Sequence, residues 1–122
     1  MKLIQTAIAS LAFVSAASFA ECEAPAAPTL PDGASASMQE MLEGQKSVKA
    51  FQSANMDYMA CLEKVFNGAA ESAAKGTDEE KAAAQATHDK AVAEYNDAVS
   101  MEEEVAGQFN TEIREYKAAN PG

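Results

Sequence analysis

Two long runs without proline constrain this chain more than any other feature. The first starts at Ser37 and reaches Lys75; the second starts at Thr77 and reaches about Lys117, before Asn120-Pro121-Gly122. Each opens on a capping box. In Ser37-Met38-Gln39-Glu40 and Thr77-Asp78-Glu79-Glu80 the hydroxyl residue can accept an orphan amide while the glutamate reaches back to the cap. Only Gly76 separates the runs, and it is a natural place to end a helix. The expectation is an all-α fold: two helices over about 37–75 and 77–118, each roughly 60 Å long at 1.5 Å per residue. So short a connection makes them antiparallel, giving a coiled-coil-like hairpin over 37–119.

Periodicity assigns the facing sides. In the first run Met41, Gly44, Val48, Phe51, Asn55, Tyr58, Leu62, Val65 and Ala69 follow the alternating three- and four-residue spacing of a seam. In the second, Val92, Tyr95, Val99, Glu102, Ala106, Phe109, Ile113 and Tyr116 do the same. Asn55 and Glu102 interrupt the apolar pattern, and polar seam residues commonly set register. Near the turn only alanines remain, Ala69, Ala70, Ala73 and Ala74 against Ala82, Ala83, Ala84 and Ala86. They keep the helices helical but bury little area, so the tip is expected to be the weakest part.

The first helix carries more apolar residues than its seam can use: Met38, Leu42, Met56, Met59 and Phe66. A two-helix hairpin cannot surround its own core. Either the segment before the helices or a second copy of the protein covers them.

The segment before the helices is of another kind. Residues 21–36 contain Pro25, Pro28 and Pro31, then a Pro-Asp-Gly turn signal, and read as an extended arm. Residues 1–20 read as a signal peptide. Lys2 is followed by an apolar stretch to Val14, and Ser18-Phe19-Ala20 places small residues where a signal peptidase cuts, so cleavage is expected after Ala20. The apolar stretch is shorter than a membrane-spanning helix needs. Glu21 before Cys22 argues against a lipid anchor, which calls for a small residue there.

An exported chain meets an oxidising compartment, where a lone pair of cysteines forms a disulfide. Cys61 lies about 36 Å along the first helix from Ser37. The residues from Cys22 to Ser37 reach about 50 Å when extended. The arm can therefore fold back along the hairpin and be pinned by a Cys22–Cys61 bond.

Charge excludes some partners. Without Lys2 the chain holds 8 basic against 19 acidic residues, a net charge of −11. Nucleic acid and anionic lipid would repel it, and no membrane insertion is expected once the signal is removed.

Chemistry-bearing motifs are scarce. Two cysteines without further ligands at the right spacing make no zinc site. No glycine-rich phosphate loop and no HExxH occur. His88, the single histidine, has Asp89 beside it, but neighbouring helix residues point apart and no nucleophile joins them. The acidic runs Asp78-Glu79-Glu80 and Glu102-Glu103-Glu104 fan outwards on a helix and do not converge on a cation. Met38/Met41 and Met56/Met59 form two thioether pairs of the kind that binds Cu(I). They sit about 27 Å apart on one helix and cannot meet within one chain.

Several stretches together carry a resemblance: Pro28-Thr29-Leu30-Pro31-Asp32-Gly33, Met41, Gly44-Gln45, Val48-Lys49-Ala50-Phe51, Tyr58, Cys61-Leu62, Phe109-Asn110 and Ile113-Arg114-Glu115-Tyr116-Lys117. The chain resembles a group of small uncharacterised exported proteins of proteobacteria. The resemblance spans most of residues 21–122 and implies a periplasmic address, but it lends no functional residues.

The expected function is thus a non-enzymatic periplasmic helical module, without cofactor, that binds an envelope protein or itself as a homodimer. Phe66, Met59 and Tyr116 are the candidate interface residues, with Tyr58 and Tyr95 as further aromatic anchors should the stripe be exposed. The alternative is metal binding, of copper or a hard cation, by the methionine pairs and acids.

Overall fold

The computed structural model describes residues 22–122, so the expected signal peptide and the expected cleavage after Ala20 lie outside the described residues. Helix α1 spans Met38–Lys75 and α2 spans Asp78–Ala119, joined by Gly76 and Thr77 alone. Both capping boxes form. Ser37 Oγ accepts the Glu40 amide at 3.1 Å while the Ser37 amide donates to Glu40 Oε2 at 2.6 Å. Thr77 and Glu80 repeat the pattern at 3.3 and 3.0 Å. Gly76 closes α1 by donating its amide to the Ser72 carbonyl, and does so in an extended conformation, φ −91°, rather than the left-handed one.

The helices pack antiparallel along their length. On α1 the buried residues are Met41, Gly44, Val48, Phe51, Asn55, Leu62 and Ala69, all members of the expected seam. On α2 they are Ala84, Ala91, Ala98, Val105 and Phe109. Three positions expected there, Val92, Val99 and Ala106, each lie one residue beyond the buried Ala91, Ala98 and Val105: Val99 is 37 % exposed, and Val92 and Ala106 are half-buried, while Phe109 is buried as expected. The reason is steric. Opposite Phe51, Asn55 and Leu62 the small Ala91 and Ala98 let the backbones close, where valine would hold them apart.

The densest packing lies far from the helical turn. Met41, Val48, Phe51, Val105 and Phe109 form one cluster, with Leu30, Ala36, Ile113 and Tyr116 against it. At the tip only Ala69 and Ala84 are buried among the alanines from 69 to 86.

Asn55 is 2 % exposed and is satisfied. Its Nδ2 donates to the Ala98 carbonyl at 3.0 Å and to Glu102 Oε2 at 3.2 Å. The two interruptions of the apolar pattern are therefore partners across the seam.

The arm folds back as expected. Cys22 is bonded to Cys61, with Cα atoms 5.7 Å apart. Its other end is equally tight: a methyl group added to Gly44 would lie 2.7 Å from Pro31 Cδ. Nine residues of polyproline helix cover about 28 Å, and α1 from Gly44 to Cys61 covers about 26 Å, so the arm runs antiparallel to α1 without slack. It then turns at Asp32, whose carbonyl accepts the Ser35 and Ala36 amides at 3.1 and 2.8 Å. Gly33 is buried against α2 and donates its amide to Glu112 Oε2 at 2.7 Å. Any Cβ at Gly33 would overlap the Glu112 carbonyl oxygen.

Candidate interaction surface

The arm covers one side of the hairpin. Cys61 follows Met56 by five residues and Met59 by two, which turns it about 140° and 160° away from them around α1. Ser47, in the hollow beside the arm, is about 180° around from Met38. The surplus apolar residues of α1 therefore point away from the arm. Met38, Leu42 and Met56 are 58, 51 and 62 % exposed. Of the two covers expected for them, the arm is not the one.

These residues belong to a second stripe. Met38, Leu42, Gln45, Lys49, Gln52, Met56, Met59, Glu63 and Phe66 follow the same alternating four- and three-residue spacing as the seam. The stripe carries one acid and one base in a chain that is otherwise strongly acidic. Beside it on α2 lie Val92, half-buried, and Val99, exposed.

The three candidate interface residues have different surroundings. Met59 and Phe66 are half-buried. Phe66 meets His88 and Tyr95 edge to face, with ring centroids 6.0 and 5.9 Å apart, so it forms the border between the stripe and α2. Tyr116 packs on the core cluster at the far end of α2 and is not part of this face. Tyr58 is half-buried in the seam, and burial, then the charges of Glu94 and Asp97, push its phenol up from the ordinary range.

The candidate metal groups separate. Met41 is in the core while Met38 is exposed, so that pair is split between inside and outside. Met56 is exposed and Met59 half-buried, adjacent on the stripe. His88 and Asp89 meet despite being neighbours, with Nδ1 and Oδ1 3.3 Å apart. Hydrogen bonds from Gln85 and then His88 hold the Asp89 carboxyl below the usual range. Cys61 is held in the disulfide and offers them no thiol.

One group was not visible in the sequence. Asp32 on the arm and Glu112 and Glu115 on α2 bring carboxylate oxygens within 4.8 Å of one another. Glu112 is engaged by the Gly33 amide. The negative charge of Glu112, assisted by some loss of solvent, a hydrogen bond that the protonated Glu115 donates to Glu112, and the charge of Asp32, raises the Glu115 carboxyl above the ordinary glutamate range. In the acidic runs at 78–80 and 102–104, Glu80 caps α2 and Glu102 turns inward to Asn55.

Among the described residues no helix is long and apolar enough to cross a membrane. No family model, curated protein or solved structure matches this chain.

Proposed function

We propose that this chain is a non-enzymatic helical interaction module of the periplasm, which acts by binding another envelope protein or a second copy of itself. The observation that carries the reading is the bare stripe. The arm closes one side of the hairpin, and Met38, Leu42 and Met56 on the other remain exposed. Exposed apolar rows of this kind favour a partner. The disulfide suits an oxidising compartment, and the signal-like residues 1–20 supply a route to it.

The test is native mass spectrometry of the chain exported with its own leader, beside Met56→Glu. Met56 touches little of its own fold, so the variant keeps its helicity. The wild type is expected to begin at Glu21, to lack two hydrogens and to be associated, and Met56→Glu to lose the association. A wild type with neither self-association nor a bound protein would refute the module.

Cation binding is a second reading, for which Asp32, Glu112 and Glu115, with carboxylate oxygens within 4.8 Å of one another, would supply the donors. It requires calcium to raise the melting temperature of the wild type but not of Glu115→Gln; an equal response in both would dismiss it. Copper binding would rest on Met56 and Met59 alone, since Met41 is buried.

A further inference from the structure

The bare stripe of α1 has a feature that selects its partner. Lys49 lies seven residues before Met56, and Glu63 seven after it. These are the stripe's two charges, both exposed, on either side of Met56 and Met59. Among the described residues the ion pairs are His88–Asp89 and Lys90–Glu94, so Lys49 and Glu63 take part in none. A surface with opposite charges placed symmetrically about an apolar centre is complementary to itself turned through a half-rotation.

We infer that the stripe is the interface of a two-fold homodimer, in which α1 packs antiparallel on α1 of a second copy with the axis beside Met56 and Met59. This rests on the bare stripe being an interaction surface. An isologous contact requires one patch to complement itself, and the charge order meets that requirement in one direction only. Antiparallel packing sets Lys49 of each copy within one helical turn of Glu63 in the other, twice by symmetry. Parallel packing would set Lys49 against Lys49 and Glu63 against Glu63, and like charges across a helix interface are repulsive.

The same stripe explains how a chain of such net negative charge tolerates its own copy. Over the 29 residues from Met38 to Phe66 its other members are Met, Leu, Gln and Phe, so the stripe itself holds no second acid. The long-range repulsion that remains is screened at physiological salt. At the axis Met56 and Met59 of both copies interleave, and methionine is a side chain that adapts its shape to such a contact.

Charge exchange tests the arrangement, with sedimentation equilibrium at physiological salt and circular dichroism as the check on folding. The wild type is expected to dimerise. Lys49→Glu and Glu63→Lys should each weaken dimerisation by about tenfold, because either one creates two like-charge contacts. The double variant, Lys49→Glu with Glu63→Lys, should restore it. A dimer that responds to Met56→Glu but to neither exchange would overturn the antiparallel arrangement while leaving the stripe as the contact. A wild type that is monomeric at every concentration would overturn the second copy as partner. In that case, loss of a stoichiometric partner protein from periplasmic preparations of Met56→Glu would still uphold the module. A dimer indifferent to all these variants would overturn both.

Discussion

At the scale of single residues, two polar positions hold the fold in register and one is held at a cost. Asn55 donates to the Ala98 carbonyl and to Glu102 from a site that is 2 % exposed. Asn55→Ala removes both bonds, leaves a small void and is expected to lower stability by about 2 kcal/mol in chemical denaturation. A cycle with Glu102→Ala should give a coupling of about 1 kcal/mol; additive effects would show that the pair does not interact in solution. Glu115 behaves in the opposite way. Its carboxyl is raised by the charge of Glu112, so the folded state favours its protonated form. That contribution is present at acidic pH and lost as pH rises through the folded value. Glu115→Gln is therefore expected to raise the melting temperature at neutral pH. The gain should vanish once the pH is low enough to protonate the wild-type side chain. A variant no more stable than the wild type at neutral pH would contradict the repulsion.

At the scale of elements, the arm behaves as a third packing element and the disulfide as its pin. The bond closes a sequence separation of 39 residues, worth about 2–4 kcal/mol. Cys22→Ser paired with Cys61→Ser should lose that amount in denaturation. Gly44→Ala forces a methyl group into the Pro31 ring and should cost about 1–3 kcal/mol. Both act on how the arm is seated, so combined they should cost less than their sum; full additivity would mean that the arm is held at two independent points. Much of this was legible beforehand. The capping boxes located both helix starts to within a residue, and the α1 seam was read in full because bulky residues mark it. The α2 seam is legible at Phe109 but lies one position before Val92 and Val99, because burial there goes to Ala91 and Ala98, whose small size is their use and which no hydrophobic score prefers over valine. The Asp32, Glu112 and Glu115 group was illegible for a different reason: Asp32 is 80 or more residues from the two glutamates, and only the turn at Gly33 brings it to them.

At the scale of the whole molecule, the hairpin has two unequal sides. Leu30, Pro31 and Ala36 of the arm cover one, and the stripe from Met38 to Phe66 is left on the other. Sequence alone left both covers possible for that stripe; the side on which Cys61 projects removes the arm from the choice. What is then central is that a second copy covers Met56. Peroxide oxidation of methionines, followed by peptide mass spectrometry across a range of protein concentrations, addresses this on the unmodified protein. Met101, 40 % exposed and away from the stripe, is the reference, and buried Met41 marks the slow limit. Oxidation of Met56 is predicted to slow relative to Met101 as concentration rises and dimers form. A constant ratio of Met56 to Met101 oxidation at every concentration would contradict it.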